Sequence, residues 1–210
     1  IGTALAKKFS SQNDTLVLAV RDLDKGNKLK ESLLSSHPHA KINVLEVDML
    51  SLKSIRDFVE RLLELHPRID VLVNNAGAHF AQKQMTVDNI EATFAVNVVA
   101  YIFLLQLLQP ALARSKAAPS HVVNMCTNIA DEFDLNDLFF AERAYNGLRA
   151  FKHASGAIRA ATHALGLKLS GSGIVVTAVH PGTITSPLLA VASFSRGLDT
   201  EEAIARNVCA

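Results

Sequence analysis

The chain has 210 residues, 49% of them apolar and 20% charged, with a net charge of +1. That is the composition of one globular domain with a substantial core, spanning 1–210, and not of a disordered segment. The near-neutral balance, without a basic block or stripe, sets aside nucleic acid and an anionic membrane surface as partners.

Ile1-Gly2, followed by Leu5 and Phe9 at helical spacing, reads as a helix already under way. Residues 15–20 predict a buried strand and residues 24–36 a helix, with Asp24 as its N-cap and Pro38 beyond its end. A strand is expected over 41–47. A helix over 51–66 follows, carrying Leu52, Ile55, Val59, Leu62 and Leu63 on one face behind a Ser51 cap. The run 69–73 predicts a strand, and 87–113 a mostly helical segment bent or ended near Pro110. Residues 121–125 and 174–179 predict two more strands, and 148–169 a long helix stopped by Gly171 and Gly173. The stretch 94–113 is the most apolar, but Asn97, two glutamines and Pro110 interrupt it. It reads as a buried interior helix, and no membrane-spanning helix is expected. Cys126 and Cys209 offer no disulfide framework, which points to a reducing, intracellular compartment.

Strands alternating with helices imply parallel βαβ units wound right-handed, that is, a doubly wound α/β sheet with helices on both faces. Such sheets bind ligands beyond the carboxyl ends of their strands, so strand-end residues carry the functional expectation. Leu72-Val73-Asn74-Asn75-Ala76-Gly77 ends an apolar strand in two amides, a small residue and a glycine, which lets backbone approach a bound group. Arg21, directly after the strand at 15–20, is placed to pair with the 2′-phosphate of NADP, where NAD-specific sheets put an acid; otherwise it is a solvated loop arginine. Asp48 follows the next strand and otherwise caps a turn before Ser51. Asn97 is an amide in an apolar helix, costly unless bonded. His180-Pro181-Gly182-Thr183 ends the strand at 174–179.

In this order, Asn74-Asn75-Ala76-Gly77, Asn97 and Pro181-Gly182 resemble the signatures of the short-chain dehydrogenase/reductase family over nearly the whole chain. Ala19-Val20-Arg21-Asp22 and Phe133-Asp134-Leu135-Asn136 are most similar to its retinol-dehydrogenase-like branch. The resemblance implies a Rossmann-like fold and hydride transfer between NADP(H), favoured over NAD(H) by Arg21, and a small alcohol or carbonyl substrate. It implies a cofactor site at Gly2, Arg21, Asp48, Asn75, Ala76, Gly77, Pro181, Gly182, Thr183 and Ser186, with Asp48 on the adenine amino group and Ser186 in place of the family's carboxamide-holding threonine. No metal ligand is assigned. Asn97 takes the place of the helix asparagine that supports the catalytic lysine. Homodimer contact through the helices at 87–113 and 148–169 is also implied.

The same resemblance exposes breaks. Ala150-Phe151-Lys152-His153-Ala154-Ser155 stands where the family has Ala-Tyr-x-x-Ser-Lys, so Phe151 replaces the tyrosine and Ser155 the lysine. Asn124-Met125-Cys126-Thr127 stands where two serines are usual, and Thr127 retains a donor. A free tyrosine titrates near about 10 and needs a cation to act at neutral pH, so both losses bear on chemistry. Tyr145 and Arg149 keep the i, i+4 spacing but lie six residues early, about 240° around a helix. Lys152 is placed to reach toward the ribose but cannot replace a phenol, and His153 and His180 read as packed or solvated histidines. Ile1-Gly2 matches the last two residues of the family's Gly-rich turn. The fold is therefore expected to lack its first strand, the central one between 15–20 and 69–73, and that turn. Thr200-Glu201-Glu202-Ala203 resembles a late family helix reached after a short connection, so the domain reads as incomplete at both ends. The expectation is an oxidoreductase relative with activity lost or strongly reduced. The alternatives are a non-catalytic nucleotide-binding or scaffolding protein, or an incomplete gene product.

Overall fold

The computed structural model describes residues 1–12, 14–130 and 133–182. They form two compact units, one from Ile1 to Pro67 and one from Arg68 onward.

In the first unit, α1 (Gly2–Ser10) leads into β1 (Thr15–Val20), α2 (Leu23–Ser36), β2 (Lys41–Glu46) and α3 (Leu52–Leu65). β1 and β2 pair in parallel from Thr15 opposite Lys41 to Val20 opposite Glu46. Ala6, Leu18, Leu33 and Ile42 close one core between helices and strands. On α3 the apolar stripe buries Ile55, Phe58, Val59 and Leu62, and the Ser51 hydroxyl accepts from Ser54 N as the sequence predicts. The N-cap of α2 differs from expectation. It is Asp22, whose extended backbone lets its carboxylate accept from Lys25 N, and Asp24 lies inside the first turn. An acid there favours the helix through its dipole without capping it.

In the second unit, β3 (Val71–Asn74), β4 (Ser120–Met125) and β5 (Ile174–Val179) form a parallel sheet in the order β3-β4-β5. Among the described residues β1 pairs with β2 alone and β3 with β4 alone, so the strands form two parallel sheets. The helix expected from Val87 begins later. Asn89 N closes a turn on Thr86 O and Val87 is 85% exposed, while the buried Glu91 carboxylate caps the helix by accepting from Thr93 N and Phe94 N. From there α4 (Ala92–Phe94), a π-helical segment (Ala95–Val99) and α5 (Ala100–Leu112) run without a break. Pro110 lies within α5 and the helix ends two residues beyond it. By length and composition alone Ala92–Leu112 is apolar enough to cross a membrane, contrary to expectation; 56% of its most apolar window is buried in the protein. α6 (Gly147–Lys168) starts at its Asn146 cap and ends before Gly171 and Gly173, both at positive φ.

Close approach in the first unit gives a stability test. A Cβ on Gly26 of α2 would lie 2.6 Å from Val44 Cγ1 and 2.8 Å from Val20 Cγ2, both on strands. Gly26→Ala is expected to destabilise by about 1–3 kcal/mol despite its better helix propensity. Gly166→Ala in α6, where the nearest atom is Val176 O at 3.7 Å, should gain up to about 1 kcal/mol. Urea unfolding followed by circular dichroism should separate the two in sign.

Candidate functional site

The register sets the site. Asn74 lies opposite Asn124, and Asn124 opposite Ala178, so the chain leaves β3, β4 and β5 at one edge of the sheet. Asn75, Ala76 and Gly77, then Cys126 and Thr127, then Pro181 and Gly182 follow those ends. Gly77 and Gly182 are exposed, and Gly182 has φ +87°. Thr183, Ser186 and Thr200-Glu201-Glu202-Ala203 lie outside the described residues.

The loop after β3 is held by side chains from several elements. Asn97, in the π-helical segment, accepts from Ala78 N (3.1 Å) and donates to Ala78 O and Thr93 O (2.7 Å each). Its amide is thus bonded to backbone. The Tyr101 hydroxyl donates to Ala76 O at 2.5 Å. Tyr145, just before the α6 cap, sits 3.0 Å from both Phe80 O and Glu91 Oε1, and 3.3 Å from Thr93 Oγ1. A Cβ on Gly147 would run into Phe80 O, so α6 starts against this loop.

Phe151 and Ser155 are one turn apart on α6. Phe151 meets the His79 ring at 6.0 Å, and the Ser155 hydroxyl donates to Phe151 O at 2.7 Å, so its proton is spent on its own helix. Thr127 Oγ1 accepts from Ile129 N at 3.1 Å, a local turn bond that leaves its hydroxyl proton uncommitted to that contact. Tyr145 does not lie on α6, and burial together with the Glu91 carboxylate pushes its phenol up to about 12. Arg149 and His180 are exposed. His153 is packed as expected, 2% exposed among the rings of Phe94, Phe133 and Phe140.

In the first unit, Arg21 is exposed directly after β1. Asp48 follows β2; its Oδ1 accepts from Leu50 N and its own N donates to Ser54 Oγ, so it closes the turn into α3. Val47 N donates to Val20 O, which brings the Arg21 and Asp48 segments to the same strand ends. Gly2 is the first residue of α1, which has no side-chain cap.

Besides Tyr101, further features were not foreseen from the sequence. His79 is buried with both ring nitrogens unpartnered, as are those of His153. Asp137 organises the connection from β4 to α6: its carboxylate accepts from the backbone N of Ala141, Glu142 and Arg143 and from Arg143 Nε. Burial opposes its ionisation, but those bonds hold it well below the usual carboxylate range. Arg143 also stacks over Phe140, 4.5 Å from the ring centroid. The turn chemistry of 134–143 was the available signal.

Residues 1–195 match the family model described as short chain dehydrogenase. Among curated relatives, human retinol dehydrogenase 13 is 33% identical over 190 residues, covering 90% of this chain and 57% of the relative. Human retinol dehydrogenase 11 is 32% identical over 200 residues, covering 93% and 61%. The chain thus spans less than two thirds of the length of these relatives. A protein from Mycobacterium paratuberculosis has the same fold, with TM-score 0.74 and 26% identity over 92% of this chain and 68% of that one. A metagenomic short-chain oxidoreductase in complex with NADP superposes at TM-score 0.70 with 24% identity, covering 87% and 76%. A short-chain dehydrogenase from Sphingobium yanoikuyae in complex with NADPH does so at 0.72 and 24%, covering 95% and 72%.

The packed histidines make stability depend on pH. Burial lowers the pKa of His153 from the ordinary 6.5, with Arg143 adding to it and Leu138 O, Asp134 and Asp137 opposing. Burial lowers that of His79 likewise. The folded state therefore excludes a proton that the unfolded chain accepts. The stability is fully present above the unfolded value of 6.5 and falls as pH drops below it. His153→Phe should lose less stability than wild type between pH 7.5 and 5.5, read from urea midpoints within each variant. Parallel profiles would count against the assignment.

Proposed function

The chain belongs to the short-chain dehydrogenase/reductase family, in its retinol-dehydrogenase-like branch, and on that premise we propose a nucleotide-binding member whose hydride transfer is lost or strongly reduced. The observation that carries the loss is the pair at 151 and 155: a phenyl ring packed on His79, and a hydroxyl bonded to Phe151 O. Neither gives a proton to a substrate oxygen, and neither supplies a cation. Tyr145 does not replace them, because its hydroxyl is engaged by Phe80 O and Glu91 and its phenol is pushed up to about 12.

The residues of each unit, taken by itself, suit part of a dinucleotide. Arg21 offers an exposed cation at a strand end, Gly2 opens a helix without a side-chain cap, and the Ala76–Ala78 backbone is fixed by Asn97 and Tyr101 around an exposed Gly77. NADP(H) is favoured over NAD(H) by Arg21, and two structures of the same fold hold NADP and NADPH. When bound, the cofactor supplies the hydride. For this chain's residues the proposal assigns Asp48 to the adenine end, Asn75, Ala76, Gly77, Pro181, Gly182, Thr183 and Ser186 to the nicotinamide side, and Thr127 to orientation of the substrate oxygen. By its relatives the substrate class is a small alcohol or carbonyl compound, retinoids included. Homodimer contact, and an intracellular, reducing location consistent with the unpaired Cys126, belong to the same proposal.

NADPH titration followed by nucleotide fluorescence should show saturable binding, with little turnover on retinoids, steroids or simple aldehydes. Phe151→Tyr with Ser155→Lys should raise turnover by a factor of about 10²–10⁴, the usual reach of a positioned acid–base group. Robust turnover by the unmodified chain would refute the loss of chemistry, and absence of NADPH binding would refute the nucleotide site.

A further inference from the structure

Tyr101 has no counterpart among the residues expected from the sequence, yet it makes the shortest bond to the loop that follows β3. It stands four residues after Asn97, so the two side chains lie side by side along one helical face. The Tyr101 hydroxyl donates to Ala76 O at 2.5 Å, while Asn97 accepts from Ala78 N at 3.1 Å and donates to Ala78 O at 2.7 Å. The backbone groups on both sides of Gly77 are thereby turned toward the helix. Gly77 itself is left exposed and bare of side chain, which is the part of the loop a ligand meets. The ring is held equally firmly: Tyr101 is 3% exposed and belongs to a core with Phe94, Val98, Ala154, Ala157 and Ile158. Burial, with Cys126 nearby, pushes its phenol up, so it remains a donor throughout the physiological range.

We propose that Tyr101 is a positioning residue for nucleotide binding: its hydroxyl fixes the Ala76 carbonyl and presets the Ala76–Ala78 backbone before the ligand arrives. The inference rests on the reading of this loop as a nucleotide edge. The physical basis is preorganisation. A loop already in its bound shape loses less conformational freedom on binding, and a carbonyl already satisfied does not compete for the ligand's donors.

Tyr101→Phe removes only the hydroxyl. In the full chain it should speed amide hydrogen exchange of residues 76–78 about five- to tenfold without ligand, and weaken NADPH by a similar factor, the size of one net hydrogen bond. Ile158→Val, a core truncation in the same cluster, should lower the melting temperature while leaving both readouts within twofold of wild type. That separates positioning from general loosening. Wild-type exchange in Tyr101→Phe would overturn the clamp whatever NADPH does. NADPH affinity within twofold of a binding wild type would overturn the positioning role while leaving the nucleotide reading intact. Failure of the wild type itself to bind NADPH would remove the nucleotide reading and this inference together.

Discussion

A chain of buried hydrogen bonds through Asn74, Asn124 and Thr162 fixes the geometry on which the second unit depends. Asn74 Nδ2 donates to Asn124 Oδ1 at 2.8 Å, Asn124 Nδ2 donates to Thr162 Oγ1 at 2.9 Å, and Thr162 donates to Ile158 O at 2.7 Å. All three side chains are at least 96% buried, where an unmet amide is costly and a met one is strongly directional. Because Asn74 and Asn124 are register partners, a slip of one residue would part the amides and turn each strand's side chains to the opposite face. The third bond ties α6 to the same strand. Thr162 lies seven residues beyond Ser155, about two turns, so Phe151, Ser155, Ile158 and Thr162 form one stripe along the helix. The tie that holds the sheet also decides where the positions at 151 and 155 stand.

The scaffold keeps its form with a phenyl ring at 151 and a hydroxyl at 155. Around the stripe Ser155 donates to Phe151 O and Asn97 is bonded to Ala78 and Thr93 O, whereas the ring nitrogens of His79 and His153 are buried without a partner. No buried ammonium has to be solvated at 155, where the side chain is 5% exposed. A lysine there faces desolvation unless a ligand or carboxylate meets it, so the catalytic cation and ligand-free stability pull in opposite directions. Phe151 likewise carries no hydroxyl in need of a partner, and its ring packs on His79.

The sequence made the alternation of strands and helices legible because β-branched runs and caps are local signals. Thr15–Val20 is found where it was expected, and the α3 stripe buries Ile55, Val59 and Leu62 as expected, gains Phe58, and leaves Leu52 and Leu63 half-buried. What it hid was contextual. Asp22 and Asp24 are equally good capping residues by composition, and the extended backbone at Asp22 decides between them. The segment from Val87 is expected to be mostly helix, but the Thr86–Asn89 turn and the Glu91 cap delay it. His79, Tyr101 and Asp137 carry no motif. Their roles come from partners 20 or more residues away or from a ten-residue turn that closes on one carboxylate. The sequence leads to a fold without a strand between 15–20 and 69–73, and among the described residues the strands pair as β1-β2 and as β3-β4-β5.

The residues that carried the family resemblance are also the ones this fold uses to hold itself together. Asn74 anchors β3 to β4, and Asn97 anchors the loop after β3 through both atoms of its amide. Removing either leaves buried donors and acceptors unmet, a cost felt with or without catalysis. Residues 151 and 155 are different in kind. A phenol and an ammonium at those places serve a reacting oxygen and a ribose, and the packing seen here is complete without them. Family signature and family chemistry are therefore separable by physics: the first is enforced by the stability of the fold, while the second is enforced only by the reaction. The hydrogen bonds of Asn74 and Asn97 serve the first, and Ser155, bonded only within its own helix, is under no such constraint from the fold.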